Sequence, residues 1–111
     1  LQSELTYQAE WIGGKPRLHH SRPTLTLADD GRAYGSGGCN HWFATYTWEA
    51  DKLSFTQIGS TRKMCEPAVM EQEQRFLETL GSVQRWDFSA QDELRLWPEQ
   101  GKPLRLQPEK G

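Results

Sequence analysis

Positive charge is in short supply: thirteen Lys and Arg stand against fifteen Asp and Glu, a formal net charge of -2. The broad positive field of a duplex-binding protein is missing, so nucleic acid is not expected as a partner. No apolar run approaches the ~18 residues that cross a bilayer as a helix. Nothing near Leu1 has the basic start and apolar middle of a secretory signal, so the chain as it stands is expected to be soluble. It begins with Leu rather than Met, and the expectation is that an upstream segment, such as a signal or lipid-anchor peptide, once preceded it.

Catalytic patterns are missing too. Gly35-Ser36-Gly37-Gly38 does not end in the Gly-Lys-Ser/Thr of a phosphate loop, and no buried strand leads from there straight into a helix. Ser36 lacks the spacing of a nucleophile elbow, and only three histidines exist to serve it as base. No catalytic residue is assigned, no cofactor is expected, and an enzyme is not expected. Two cysteines, Cys39 and Cys65, are too far apart for a CxxC redox pair and too few for a zinc site of the usual kind.

What is present suits one domain over residues 1–111: the chain is 35% hydrophobic and 25% charged, too apolar for a disordered tail. Thr24-Leu25-Thr26-Leu27 alternates polar and apolar, Asp30-Gly31 signals a turn, and Arg32, Ala33 and Tyr34 resume an extended pattern, which predicts a hairpin. The glycines that follow predict a bend. Ala44, Tyr46 and Trp48 alternate with Thr45, Thr47 and Glu49; a turn follows near Ala50-Asp51, and Leu53 and Phe55 lie on the returning strand.

After Cys65 the period changes. Pro67 suits a first helical turn; Val69, Met70, Phe76, Leu77 and Leu80 recur at helical spacing, and Gly81 is expected to end the helix. Glu66, Glu71 and Glu73 lie toward its positive end, and Glu71 can reach Arg75. Short strands are expected over Val83–Phe88, Glu93–Trp97 and Leu104–Leu106. Strands at this spacing predict a mainly β fold: a small antiparallel barrel or half-barrel meander with one helix packed across an opening. Residues Leu1–Tyr7 and Gln107–Gly111 are expected to be loose ends.

Counting cysteines leaves two readings open: a structural disulfide, which would stabilise the fold by about 3.5 kcal/mol on a chain-entropy basis, or two buried thiols. Gly37-Gly38-Cys39-Asn40, an aromatic strand, Ser60-Thr61-Arg62-Lys63-Met64-Cys65 and an acidic helix ending near Phe76-Leu77 together resemble the META domain family, which includes the HslJ-like heat-shock lipoproteins. The resemblance spans about Trp11 to Leu106. It implies a small β-rich fold with one helix and export to the bacterial envelope, periplasmic or as an outer-membrane lipoprotein. It also implies a disulfide between Cys39 and Cys65, and it implies no known reaction. Ala44 and Lys63 depart from the family pattern, Ala44 where a glycine is common and Lys63 where an apolar residue is.

The motif residues also make physical sense alone. Asn40 tolerates unusual backbone angles and can bond neighbouring backbone at the turn after Cys39, so Gly38, Asn40, Thr61 and Arg62 are read as structural. Arg62 can fork onto a carboxylate or onto carbonyls freed by the glycine bulge; the functional alternative is an anionic ligand. His19 and His20 lie in a basic stretch with Lys15, Arg17 and Arg22, read as a wet surface that can also touch anionic lipid or cell-wall polymer. His41 with free cysteines is the metal-binding alternative, although no metal ligand is assigned.

Five Trp, three Tyr and four Phe are many for this length. Trp48, Trp86 and Phe88 fall on apolar faces and are expected in the core. Trp42, Phe43 and Trp97 are the candidate binding patch, if exposed together. The functional expectation is a monomeric, non-enzymatic envelope domain acting in stress or antibiotic tolerance by binding an envelope protein, with peripheral or lipid-anchored membrane association. The alternative is a carrier that holds a lipid or other small apolar ligand between barrel and helix.

Overall fold

A computed structural model describes residues 1–109. The elements in chain order are β1 (Thr6–Ile12), β2 (Lys15–Pro16), β3 (Thr24–Leu27), β4 (Arg32–Ser36), β5 (His41–Glu49), β6 (Lys52–Ser60), α1 (Pro67–Ser82), β7 (Val83–Phe88), β8 (Leu94–Pro98) and β9 (Leu104–Pro108). Every paired strand runs antiparallel to its neighbours. β1 pairs with both β3 and β9 and so closes the sheet into an eight-stranded barrel, with β2 folded back on β1 as a short flap. The mainly β barrel with one helix read from the sequence is the observed fold.

Local chemistry accounts for the hairpins. Gly31 turns at φ 90°, and the Arg32 N–H donates to Asp30 Oδ1 at 3.1 Å, an Asx turn that joins β3 to β4. The β5–β6 turn places Ala50 at φ 55°. At Gly35 the bend is a matter of space, since a Cβ would come within 2.1 Å of the Thr24 carbonyl oxygen. The β5–β6 register shifts between Phe43 and Thr45, opposite Gln57 at φ 54°; this bulge curves the wall.

The chain ends correct the expectation of loose termini. Tyr7 and Ala9 are buried on β1, which carries the closure, and Gln107 lies in β9; Ala9 sits opposite Leu106 and Gln8 opposite Gln107. Each of these end strands is held on both sides, β1 between β3 and β9 and β9 between β8 and β1. The last two residues of that expected loose end lie outside the described residues. The helix also outruns its expected stop: Gly81 lies in its last turn, and the extended Val83 ends it with an N–H donated to Leu80 O.

The barrel interior is filled. Leu25, Leu27, Leu53, Leu94, Leu96, Leu104 and Leu106 pack with Tyr7 and Ile12, and Phe76 and Leu80 bring the helix onto them. Phe76 meets Trp42 edge to face, 5.9 Å between centroids. Full burial of each such side chain contributes about 2–3 kcal/mol.

Connectivity gives the barrel two unlike ends. At one lie three hairpin turns, β3–β4, β5–β6 and β7–β8; at the other lie α1, residues 13–23, the 37–40 loop, the 61–66 linker and the β8–β9 turn. β6 and β7 share a single register position, Lys52 with Arg85, and α1, which joins them in the chain, packs against β6 where they part.

Candidate binding site beside the helix

Five residues of α1 form its buried stripe: Val69, Gln72, Glu73, Phe76 and Leu80. Two of them are polar, and each fastens a loop. Gln72 Oε1 accepts the Leu18 N–H at 2.6 Å, while its Nε2 donates to Ser21 Oγ at 3.1 Å. Glu73 Oε2 accepts the backbone N–H groups of Cys39 at 3.0 Å and Asn40 at 2.5 Å, and Oε1 accepts Asn40 Nδ2 at 2.8 Å. Three donors thus solvate a carboxylate that burial has removed from water.

Asn40 carries the linkage onward. Its Oδ1 accepts the Lys63 N–H at 2.6 Å and the Thr61 hydroxyl at 3.0 Å, and its Nδ2 also donates to Lys63 O at 3.3 Å. Thr61 Oγ1 accepts the His41 N–H at 3.1 Å. Gly37 must be glycine because a Cβ there would meet the Glu73 carboxylate at 2.6 Å. Cys39 and Cys65 are joined, with Cα atoms 6.0 Å apart. The 37–40 loop, the 61–65 linker and the helix are therefore tied at one point by a disulfide and a buried hydrogen-bond network.

Arg62 stands outside that network. It is exposed, and the carbonyl-binding role expected of it falls to Asn40. Arg62 borders an open groove of about 760 Å³ between α1 and the end of β6. Met70 and Leu77 line the helix wall and Ile58 and Gly59 the strand wall, while Met64 on the linker is 83% exposed. Glu71, Gln74 and Glu78 border the helix side.

The chain matches the META domain over residues 1–111. It belongs to the META domain family. Two NMR structures share the fold of this META domain. One, from Burkholderia xenovorans, has a TM-score of 0.75 at 24% identity, covering 98% of this chain and 84% of that chain. The other has a TM-score of 0.72 at 22% identity, covering 94% and 88%. Comparison with curated proteins returns no match. Membership in the family supports a non-catalytic, envelope-type domain in general terms.

Within this META domain the three aromatics of the candidate patch do not come together. Trp42 is 1% exposed and donates its Nε1–H to Thr24 O at 2.9 Å; it faces inward against Phe76. Phe43, the next residue along β5, points to the opposite face and is 53% exposed, with its ring over Gly59. Trp97 lies on the outer wall of β8, where Arg85 and Arg95 stack on it at 4.7 and 5.3 Å and its Nε1 donates to Asp87. Alternation along β5 alone separates Trp42 from Phe43.

All three histidines are exposed, and His20 Nε2 lies 2.7 Å from Glu66 Oε1. With both cysteines in the disulfide, the alternative metal site built on His41 and free cysteines loses its thiolates. Sequence reasoning missed Gln72 and Glu73 as buried anchors. The signal was available, because both lie on the stripe set by Val69, Phe76 and Leu80. The groove was not legible, since Ile58 and Met64 meet Met70 and Leu77 only when the helix folds back along β6.

Proposed function

We propose that this META domain is a non-enzymatic binding domain of the bacterial cell envelope, periplasmic or lipid-anchored, that holds an apolar segment of a partner protein in the groove between α1 and β6. The observation that carries this reading is the groove itself: an open, Met-lined apolar surface held rigidly from beneath by the disulfide and the Asn40–Glu73 network. Methionines adapt to irregular apolar partners, and an open trough suits a protein segment better than a small molecule, which a site usually encloses on most sides. The disulfide fits an oxidising compartment. A role in stress or antibiotic tolerance would follow from capturing such a partner. The filled barrel leaves the groove as the place for the second reading, a carried apolar ligand, whose size the groove's volume accommodates.

A photo-reactive residue at position 64, in protein exported to a bacterial periplasm, tests both readings. The expectation is a discrete protein adduct that disappears in Met70→Glu and is not seen from a control at Thr45. Equal adducts from positions 64 and 45 would count against the proposal, and a small-molecule mass in native mass spectrometry would favour the carrier.

A further inference from the structure

At the hairpin end of the barrel, far along the strands from the groove, three aromatics break the rule the rest of the core obeys. Trp48, Trp86 and Phe88 lie on inward faces, opposite Leu53, Leu96 and Leu94, yet Trp48 is 39% and Phe88 41% exposed. They were expected in the core; Trp86 packs half-buried against it, while Trp48 and Phe88 lie where their strands run past the packed interior, so the rings stand at the mouth. They touch in series, with centroids 6.1 Å apart from Trp48 to Trp86 and 5.6 Å from Trp86 to Phe88, each pair edge to face. Both indole N–H groups donate to one acceptor, the Ala50 carbonyl, at 3.0 and 2.9 Å. The cluster therefore offers a partner only apolar and π surface.

The turns that frame it are acidic. Asp29, Asp30, Glu49, Asp51 and Asp92 lie on or beside the three hairpin turns, against Arg32, which pairs with Asp30, and against Lys52 and Arg85 opposite each other on β6 and β7. This field reaches the mouth: the phenol of Tyr46, two residues before Trp48, is pushed above its ordinary pKa, first by burial and then by Asp29, Asp30 and Glu4. Elsewhere the molecule covers its half-buried wall tryptophans with its own guanidiniums, Arg85 and Arg95 on Trp97 and Arg105 on Trp11 at 5.2 Å. Among the described residues no cation covers Trp48 or Trp86 in this way.

We propose that this mouth is a second docking surface, and that its occupant is a Lys- or Arg-rich protein segment whose cations sit on the exposed rings while the acidic turns face the rest of its charge. Charge complementarity selects this occupant. An anionic bilayer surface would meet the same carboxylates and be repelled.

Hexa-arginine peptide titrated into the full chain, followed by NMR of the indole N–H resonances, tests the assignment. The Trp48 and Trp86 signals are expected to shift first and furthest. Trp48→Leu, which keeps apolar bulk and removes the π face, is expected to weaken binding about fivefold. The double variant Glu49→Gln with Asp51→Asn, on an exposed turn where folding is not at risk, is expected to weaken it by a similar factor, about fivefold at low salt. Three outcomes would overturn the proposal: shifts centred on the helix end, affinity that falls with the charge variants but not with Trp48→Leu, or preferential binding of phosphatidylglycerol vesicles through the mouth.

Discussion

At Asn40 one side chain satisfies four hydrogen-bonding positions and touches the helix and the linker at once. Asn40→Ala would leave the Lys63 N–H and one Glu73 oxygen without their partner, and the expected loss is about 3 kcal/mol, read from urea denaturation. Gly37 tests the same network by space rather than by hydrogen bonding. Gly37→Ala drives a Cβ into the Glu73 carboxylate, and the expected destabilisation is about 2 kcal/mol by the same measurement. Gly31 makes the contrast: it has open space but φ 90°, so Asn should be better tolerated there than Ala, the reverse of what crowding would give. The sequence made Asn40 legible as a turn residue with backbone-bonding capacity. That its partner is Glu73, 33 positions away, could not be read, because helical spacing says which face a residue occupies but not which loop will lie against that face.

The single helix depends on two attachments of different kinds. Its apolar grip runs through Phe76, fully buried against Trp42, and Phe76→Ala is expected to cost about 3–5 kcal/mol, with the near-ultraviolet signal of Trp42 altered as well. Its covalent tether lies just before its first turn. Reducing Cys39–Cys65 should lower stability by about 3.5 kcal/mol, read as a shift of the denaturation midpoint with and without reductant, while the native sheet remains folded. The period-two strands were readable from alternation, and so was the inward side of Trp48, Trp86 and Phe88. Their depth was not, since alternation assigns a side of the sheet and says nothing of how far a strand extends beyond the core. β1 escaped notice for a related reason: with small Ala9 and polar neighbours, its apolar signal is weak until β9 lies beside it.

Over the whole barrel, side chains on the outer wall form ion pairs that add a pH dependence to the closed sheet. Asp87 takes a bidentate grip from Arg95 at 2.7 and 2.9 Å and a bond from Trp97. Burial alone would raise its pKa, but the hydrogen bonds from Arg95 and Trp97 and the charges of Arg95 and Arg85 outweigh it, so the folded value lies below the ordinary 3.8. A depressed folded pKa means that the carboxylate's contribution is fully present above pH 3.8 and is lost as pH falls through the folded value. Thermal denaturation followed from about pH 5 to about pH 2 should show a fall in stability that is shallower in Asp87→Asn. The amino-acid sequence by itself determined the β-rich class, the hairpins and the helix with its buried stripe, because these follow from local periodicity and turn chemistry. Its cysteine and Asn motifs pointed to the family. Only the tertiary structure decided that the chain ends close the barrel, that Glu73 anchors the motif loop, that Trp42 rather than Phe43 takes the inward face against Phe76, and where the groove and the aromatic mouth lie. Each of these depends on contacts between segments distant in sequence, and such contacts come into being only when the sheet closes.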